Sequence, residues 1–246
     1  MDKLVSIITP NFNCEKFIAA TIKSVINQTY KNWELIIVDD CSTDNSVKII
    51  NDFISKGERI KLIKLNKNSG PAVARNKAIE LSKGDYMAFL DSDDLWDSEK
   101  LEIQLNFMES KQIALSFTSY FSVNEEGVKL KMIEAKQKIS YKNLLTNNYI
   151  GCLTAMYSVK QLGKVYFPNI KKRQDWALWL KITKSGVLAH GINKPLAYYT
   201  KRDFSVSSNK WDLLKYNWKI YREFENLSIV VSFYYFIQLF LKKIVK

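Results

Sequence analysis

Histidine is nearly absent from this chain, since His190 is the only one among its 246 residues. A single histidine cannot build a multi-histidine zinc site, and its scarcity argues against Ser-His-Asp chemistry. His190 stands between Ala189 and Gly191 in an apolar stretch. We therefore assign it a structural and not a catalytic part.

Cysteines and phosphate-binding glycine motifs are also scarce. Cys14, Cys41 and Cys152 are the only cysteines and form no CxxC pair, which favours a reducing compartment and argues against disulfides and thiolate metal sites. Neither GxGxxG nor GxxxxGKS/T occurs, so the usual dinucleotide and P-loop interpretations lose most of their support. No signal-peptide pattern opens the sequence, and we expect the protein in the cytoplasm.

Positive charge is what the chain has in excess. Its 37 basic and 25 acidic residues give a net charge of +12, while 47% hydrophobic and 25% charged residues are ordinary for a globular protein. A basic balance suits an anionic partner such as nucleic acid, an acidic membrane surface or a phosphate-bearing substrate. A solvated basic surface is the alternative, and charge alone does not choose among these.

The first half of the chain alternates between apolar strand patterns and amphipathic helical patterns. Strands are predicted at 5–9, 34–38, 60–65, 86–90 and 113–120, and helices at 15–27, 72–81 and 98–109. Another helix opens at "CSTDNS", with Ser42, Thr43 or Asp44 as candidate N-caps. A weaker, basic and less regular stretch at 125–142 precedes a helix in "RQDWALWLKITKSG" and a strand in "GINKPLAYYT". This alternation predicts an α/β fold with a mainly parallel sheet flanked by helices.

Polar residues follow three of the predicted strands. Thr9-Pro10-Asn11, Asp39-Asp40 and Asp91-Ser92-Asp93 come at strand ends, and ligands of parallel sheets bind at the carboxyl ends of the strands. Carboxylates at positions i and i+2 of an extended turn could chelate Mg²⁺ or Mn²⁺ together with substrate phosphates. The alternative is a polar loop leading into a helix, with Asp94 or Asp97 near its N-terminus.

Five blocks of sequence, in order, extend over about the first two hundred residues. They are "VSIITPNFN", "ELIIVDDCSTDNS", "NSGPAVARNKAIE", "GDYMAFLDSDDLW" and "RQDWALWLKI". In these blocks the chain resembles the family-two glycosyltransferases of bacterial surface-polysaccharide synthesis. The resemblance implies the GT-A fold, a nucleotide-sugar donor, Mn²⁺ or Mg²⁺, and inversion at the sugar. Cys41 and Ala78 depart from the family pattern, which often has glycine there, and this puts the local backbone shape in doubt.

The resemblance also implies a role for each matching residue. The implied donor-binding residues are Thr9, Pro10, Asn11, Asp39, Arg75, Asp91, Ser92, Lys201 and Arg202. Asp39 would accept a hydrogen bond from a uracil-like base, and Arg75 would hold the acidic loop or the diphosphate. Asp93 would ligate the metal directly, and Asp91 would meet the metal or the ribose. In "YYTKRDFSVSSN", Ser205 would join Lys201 and Arg202 at the diphosphate, with an ordinary surface loop as the alternative.

Asp175 in "RQDWALWLK" is the implied catalytic base, and Gln174 would orient the base or the acceptor. Without the resemblance, Asp175 could simply be the N-cap of a helix over 176–183.

The processive signature QxxRW is absent, so we expect one sugar per acceptor. Two other functions stay open: a nucleotidyltransferase, and a non-enzymatic nucleic-acid-binding protein. We expect no nucleic-acid partner, and acceptor choice is assigned to 125–172. The donor sugar, the acceptor and the linkage are not fixed.

The C-terminal segment changes character, and we divide the chain into a catalytic domain at 1–212 and an amphipathic helical tail at 213–246. The apolar run at 229–241 is shorter than the ~20 residues that span a bilayer. Phe233, Tyr234, Phe236 and Phe240 share an apolar arc, as in helices that lie in a membrane interface. We expect peripheral association with the inner face of the cell membrane and a glycan or lipid-linked glycan acceptor. Packing on the catalytic domain or in a homodimer is the alternative.

Overall fold

A computed structural model describes residues 3–57, 59–202 and 210–244, and within them ten strands form one sheet with the order β3-β2-β1-β4-β9-β6-β10-β5. The strands are β1 Val5–Asn11, β2 Trp33–Asp39, β3 Ile60–Lys64, β4 Tyr86–Phe89, β5 Leu95–Trp96, β6 Leu115–Val123, β7 Lys129–Ile133, β8 Lys138–Ile139, β9 Met156–Ser158 and β10 Ala189–Thr200. β7 pairs with β6, and β8 pairs with β10.

One half of the sheet is wholly parallel, because helices cross over between its strands. β1 pairs in parallel with both β2 and β4, and β2 pairs in parallel with β3. The connecting helices are α1 Ile18–Ile26, α2 Ser46–Ile54 and α3 Pro71–Leu81, while α4 Lys100–Lys111 leads from β5 to β6. Every residue of β1 and β2 is buried, as expected for strands covered on both faces. The predicted α/β fold with a mainly parallel sheet is confirmed.

The other half of the sheet is mixed, which the sequence pattern did not predict. β9 inserts between β4 and β6 and runs antiparallel to both, while β6 and β10 are parallel. β9 has only three residues, so no alternation of polar and apolar side chains could reveal it. The stretch at 125–142 is more regular than predicted, since it contains β7 and β8. β7 does alternate, as Lys-Leu-Lys-Met, but its lysines and its apolar side chains are both exposed, so it lacks the buried face that such alternation normally indicates.

The helix after "CSTDNS" begins later than predicted, at Ser46, and Asn45 occupies its N-cap position. The prediction of Ser42, Thr43 or Asp44 as the N-cap is therefore wrong. The polar groups of these residues have other partners. Ser42 contacts Asp39, the Thr43 amide donates to Asn13, and Asp44 accepts from the amides of Glu15 and Ser46.

Two tryptophans fix the helix that carries the candidate base. Helix α7, Gln174–Lys184, follows α5 Tyr141–Thr146 and α6 Val159–Leu162. Its Trp176 and Trp179 are fully buried. Trp176 Nε1 donates to Leu144 O at 2.8 Å, and Trp179 Nε1 donates to Ile150 O at 3.1 Å. Because both indoles are buried and satisfied, the start of α7 has a defined position at the edge of the sheet.

Helix α8, Lys210–Lys219, continues into a π-helical turn at Ile220–Phe224, and α9 spans Ile229–Ile244. The predicted domain boundary between 212 and 213 falls inside α8. Across the described residues, none of the helices is both long and apolar enough to cross a membrane.

Helix α9 has one face on the protein and one in solvent. Ser232 and Leu239 are buried, and Phe236 packs edge-on against Trp218 with ring centroids 5.8 Å apart. Phe236 therefore belongs to the packed face and not to the predicted apolar arc. The exposed apolar side chains of α9 are Ile229, Val230, Val231, Phe233, Tyr234, Ile237, Phe240 and Leu241.

Candidate active site

The ends of β1 and β2 are joined through Asp39. Asn11 Nδ2 donates to Asp39 Oδ1 at 2.7 Å, and the backbone N–H and hydroxyl of Ser42 donate to the same carboxylate at 3.0 and 2.5 Å. Asp39 and Asn11 are both buried. The carboxylate therefore has a fixed orientation.

Asp40, for which the sequence suggested no separate role, fixes the start of α3. Its two carboxylate oxygens accept from the amides of Ser69 and Gly70, each at 2.7 Å. Gly70 has φ +89°, a conformation that glycine adopts without strain. Since Arg75 lies one turn further along α3, Asp40 also positions Arg75.

Cys41, at a position where the resemblance implies glycine, has a backbone conformation that glycine adopts without strain. Its φ is +65°, in the left-handed region, and its thiol donates to Leu65 O at 3.0 Å. Cysteine tolerates this region less well than glycine. The turn shape is therefore kept at a cost in strain. Ala78, the other departure, is buried within α3 and needs no special conformation.

Three aspartates after β4 form a compact acidic turn, Asp91–Asp94, and not the extended segment that was predicted. The Asp94 amide donates to Asp91 O at 3.1 Å. Arg75 Nη2 donates to Asp91 Oδ1 at 2.6 Å, and Arg202 Nη1 lies 3.2 Å from Asp93 Oδ2. Asp94, which is buried, accepts from the Thr200 amide at 2.8 Å. It neither caps the next helix nor faces solvent.

Negative charge is in excess at the acidic turn. Burial is the largest cause that raises the pKa of Asp93, and the negative charge of Asp91 raises it further. Burial raises the pKa of Asp94 well above its usual range, with Asp93 and Asp91 adding to it. Although burial opposes the positive charge of Arg75, Asp91 holds the pKa of that guanidinium above its ordinary value. Three carboxylates thus share two guanidiniums, and a further cation would be stabilised here.

The donor set fits a hard cation that is shared with a substrate. Asp91 and Asp93 supply carboxylate oxygens, the ligands that Mg²⁺ and Mn²⁺ prefer. Within the described residues, no group of three or more acidic, histidine or cysteine side chains could hold a metal ion. An ion would therefore need oxygens from water or from a substrate phosphate as well. The cation beside Asp93 in this structure is the guanidinium of Arg202.

Asp175 lies in the first turn of α7, whose N-cap position is occupied by Arg173. The alternative interpretation of Asp175 as the N-cap is therefore wrong. Asn148 Nδ2 donates to Asp175 Oδ2 at 2.7 Å. Sequence reasoning missed Asn148, because it follows α5 in a loop with no motif and meets Asp175 only in the folded chain.

Arg75 connects the acidic turn to the start of α7. Its guanidinium is buried and reaches Asp91 through Nη2, while Nη1 donates to Gln174 Oε1 at 2.9 Å. Gln174 therefore contacts Arg75, and the side chain that contacts Asp175 is Asn148. Buried polar atoms without a partner are also found here: Thr9 Oγ1, Asn11 Oδ1 and Arg75 Nε. Such atoms are costly and are often found at functional sites.

The remaining implied donor-binding residues differ in accessibility. Thr9, Pro10 and Ser92 are buried, whereas Lys201 is exposed. Ser205 lies outside the described residues. A pocket of about 230 Å³ borders Arg202 and is lined by Asn13, Cys14, Glu15, Lys16, Phe17, Asp44, Glu125 and Arg202. The pocket therefore opens beside the guanidinium that contacts Asp93.

Sequence comparison places this geometry in a family. The model of the family described as Glycosyl transferase family 2 matches residues 6–162. TuaG of Bacillus subtilis (strain 168), a putative teichuronic acid biosynthesis glycosyltransferase, is 46% identical over 96% of this chain and 94% of its own. WfgD of Escherichia coli, a UDP-Glc:alpha-D-GlcNAc-diphosphoundecaprenol beta-1,3-glucosyltransferase, is 38% identical over 95% of this chain and 91% of its own.

Solved structures share the fold at lower identity. TarS 1-349 of S. aureus, in complex with UDP-GlcNAc, aligns with a TM-score of 0.73 and 22% identity over 97% of this chain and 71% of its own. The mannosyltransferase PcManGT of Pyrobaculum calidifontis, in complex with GDP-Man and Mn²⁺, aligns with a TM-score of 0.63 and 17% identity over 89% and 64%. The chain therefore belongs to glycosyl transferase family 2, and it is a glycosyltransferase with the GT-A fold.

Proposed function

We propose that this chain transfers a hexose from a UDP-sugar to a hydroxyl of a lipid-linked glycan, with inversion at the anomeric carbon. The names of the relatives support the substrate classes, since WfgD acts on UDP-Glc and GlcNAc-diphosphoundecaprenol. Family membership favours this activity over nucleotidyl transfer and over nucleic-acid binding. UDP-glucose and a GlcNAc-diphosphate lipid are the first substrates to test.

The observation that carries the proposal is the double contact of Arg75. One buried guanidinium binds Asp91 in the acidic turn at 2.6 Å and Gln174, the neighbour of Asp175, at 2.9 Å. The turn that would receive the donor diphosphate and the helix that carries the candidate base are therefore joined through one side chain. An enzyme that brings two substrates together needs its two half-sites fixed in this way.

Asp175 is the proposed general base. In one displacement, the acceptor oxygen attacks the anomeric carbon, the bond from that carbon to the diphosphate oxygen breaks, and the hydroxyl proton passes to Asp175. The hydrogen bond from Asn148 orients the carboxylate. General-base assistance of this kind contributes roughly a hundredfold to ten-thousandfold in rate.

The departing nucleoside diphosphate is the proposed ligand of the acidic turn and its arginines. Asp91 and Asp93 would hold Mn²⁺ or Mg²⁺, which offsets charge on the leaving group when bound. The Mn²⁺ complex of PcManGT supports this assignment at the level of the shared fold. Arg75 and Arg202 would pair with phosphate oxygens. Asn11 and Asp39 would contact the base, and Thr9, Pro10, Ser92 and Lys201 would complete the donor site.

The test is a transfer assay with UDP-glucose, the GlcNAc-diphosphate lipid and Mn²⁺, with the anomeric configuration of the product read by NMR. We expect a β-linked product and release of UDP. Asp175→Asn should lower kcat at least about a hundredfold while leaving UDP-glucose affinity unchanged. Asp52→Asn, at an exposed position on α2, is the matched control and should behave as the parent.

Three outcomes would contradict the proposed function. Pyrophosphate release from a nucleoside triphosphate, with no sugar transfer, would identify a nucleotidyltransferase. An Asp175→Asn enzyme that retains parental kcat would show that Asp175 is not the general base. A product that retains the donor configuration would exclude the single displacement.

The same proposal places the enzyme at the inner face of the membrane, where it meets its lipid-linked acceptor. Support comes from α9, whose exposed arc carries Phe233 and Phe240 at 57% and 50% exposure. Ser232 and Leu239 anchor the opposite face of the helix on the protein. An apolar arc on an otherwise basic protein suits an anionic lipid surface. The division of the chain into a catalytic domain and this tail stays part of the proposal.

A further inference from the structure

Two lysines from distant parts of the chain meet at one tyrosine. Lys242 of α9 donates from Nζ to Tyr149 OH at 2.9 Å and to Thr146 Oγ1 at 2.6 Å. Lys136 Nζ stands 4.3 Å from the centroid of the Tyr149 ring. We call Lys136, Tyr149 and Lys242 the lysine–tyrosine cluster.

Positive charge in this cluster is uncompensated. In the part of the chain that the structure describes, neither Lys136 nor Lys242 forms an ion pair with a carboxylate. Burial tends to raise the pKa of Tyr149, yet the hydrogen bonds of Lys242 and Thr146 and the charges of both lysines bring it below its ordinary value. Two ammonium groups beside one phenol, without an ion pair to a carboxylate among the described residues, suit an anion with several oxygens.

The position of the cluster connects it to the acceptor side of the active site. Tyr149 directly follows Asn148, which donates to Asp175. Lys242 belongs to α9, whose exposed apolar arc faces solvent. The cluster is therefore linked to the candidate base through the neighbouring Asn148 and to α9 through Lys242. A lipid-linked glycan has its diphosphate between the sugar and the hydrocarbon.

On the basis of the proposed function, we propose that the lysine–tyrosine cluster binds the diphosphate of the lipid-linked acceptor. Lys136 and Lys242 would each donate to phosphate oxygens, and the Tyr149 hydroxyl would donate a third hydrogen bond. The sugar would then reach toward Asp175, while the hydrocarbon chain would follow α9 into the membrane.

The first experiment measures binding of farnesyl diphosphate to the purified protein in the presence of saturating UDP, so that the donor site is occupied. Each lysine should contribute roughly tenfold in affinity, as charge-assisted contacts to phosphate do. The Lys136→Gln/Lys242→Gln variant should therefore bind about a hundredfold more weakly than the parent. Lys138→Gln removes the same charge from β8, where Lys138 is exposed, and should bind as the parent. Equal affinity of the double variant and the parent would overturn the proposal, whatever the transfer assay shows.

The second experiment compares transfer to a GlcNAc-diphosphate lipid with transfer to an uncharged alkyl glycoside of GlcNAc. The double variant should raise KM for the diphosphate acceptor about tenfold or more and leave the alkyl glycoside kinetics and the donor KM unchanged. An equal effect on both acceptors would indicate damage to the fold and overturn the assignment. Lys136→Arg/Lys242→Arg keeps both charges and should retain most of the diphosphate affinity.

A third experiment distinguishes binding of the acceptor diphosphate from binding to the bulk membrane. Parent and double variant are sedimented with vesicles of phosphatidylcholine containing phosphatidylglycerol but no lipid diphosphate. At high salt, where the attraction of exposed lysines for an anionic surface is screened, we expect the two proteins to bind these vesicles to within about twofold. A tenfold loss here would identify a general anionic-lipid contact and overturn the acceptor assignment. Absence of sugar transfer in the parent would contradict the proposed function, and the farnesyl diphosphate measurement would still decide the cluster.

Discussion

A cysteine in a glycine-like conformation shapes the turn beside Asp39, the candidate contact for the base of the nucleotide. Cys41 has φ +65° and stands between Asp40 and Ser42, both of which make hydrogen bonds that fix neighbouring elements. Left-handed residues other than glycine carry strain of about 1 kcal/mol. The thiol contact to Leu65 offsets part of this cost.

We expect Cys41→Gly to keep the free energy of unfolding within about 1 kcal/mol of the parent, because strain relief and added chain entropy oppose each other. Cys41→Val should lower it by a further ~1 kcal/mol or more, since a β-branched residue fits φ +65° poorly. Urea unfolding of the two variants checks the order. A valine variant as stable as the glycine variant would show that the turn does not hold this conformation.

Lys100 is a buried lysine that has no carboxylate partner among the residues that the structure describes. It is fully buried on α4, donates to Gln104 Oε1 at 2.6 Å and lies 4.3 Å from the ring centroid of Trp96. Burial lowers its pKa to about 7 from 10.5. Between these two values the unfolded chain holds a proton that the folded chain has lost. The free energy of unfolding therefore gains a rising contribution from Lys100 as pH increases from about 7 toward 10.5.

Lys100→Met should remove that contribution. The unfolding free energy of the variant minus that of the parent should fall by up to about 1.4 kcal/mol for each pH unit above 7, because only the parent gains stability as pH rises. Because methionine leaves Gln104 Oε1 without its donor, the pH slope is a cleaner measure than the absolute value. Urea unfolding at pH 7, 8 and 9 tests this, and parallel curves for the two proteins would contradict it.

The side chains that could be predicted are those that belong to motifs. Asp39, Asp91 and Asp93 come at strand ends, where their neighbourhood follows from the topology of a parallel sheet. Asn148 could not be predicted, since its only signal is a tertiary contact with Asp175. The buried charge at Lys100 was equally hidden, because a lysine within a helical pattern normally indicates a solvent-facing position.

Among whole elements, α9 has the most unusual surface. Its packed face is fixed by Ser232, Leu239 and Phe236, while Phe233 and Phe240 are half exposed or more. The sequence offered membrane contact and packing on the protein as alternatives. The structure shows the packed face, and the outward arc leaves room for the membrane as well.

We expect Phe233→Ser/Phe240→Ser to reduce binding to anionic vesicles about a hundredfold, because each phenylalanine contributes roughly 1.5–3 kcal/mol when buried in an apolar phase. Co-sedimentation with phosphatidylglycerol vesicles measures the loss. Leu130→Ser on β7, where Leu130 is 52% exposed, is the matched control. Unchanged sedimentation together with a dimer-to-monomer change in light scattering would assign the arc to a second copy of the chain.

The predictability of elements follows their length and pattern. β1, β2 and α3 were found within two residues of their ends, because continuous apolar runs and a Gly-Pro start identify them. β9 and β7 were missed, the first because it has only three residues and the second because its short alternation forms no buried face. Helix α7 was found, yet its start at Gln174 depends on the left-handed Arg173, which no propensity indicates.

Across the whole molecule, the candidate donor site draws on many separate segments. Asn11, Asp39, Arg75, Asp93 and Arg202 come from five different elements or loops. A ligand that contacts all of them stabilises the folded state by mass action, and the gain is about 2.7 kcal/mol at a hundredfold excess over Kd. For a chain of this size, that gain corresponds to a rise in Tm of roughly 5–10 °C.

We therefore expect UDP with Mn²⁺ to raise Tm by several degrees, and EDTA to remove most of the rise. Differential scanning fluorimetry with UDP alone, Mn²⁺ alone and both together separates the contributions. Asp93→Ala should abolish the joint effect. A full rise with UDP in EDTA would show that Arg75 and Arg202 bind the diphosphate without a metal.

Because α9 is anchored on its inner side and apolar on its outer side, the proposed membrane contact would change the dimensionality of the reaction. Once α9 rests on a bilayer, enzyme and acceptor diffuse in the same plane. Their encounter rate then depends on concentration per unit area and not on concentration per unit volume. Turnover should then follow the number of acceptor molecules per unit area of vesicle: diluting the vesicles leaves the rate of bound enzyme constant, while diluting acceptor with inert lipid lowers it.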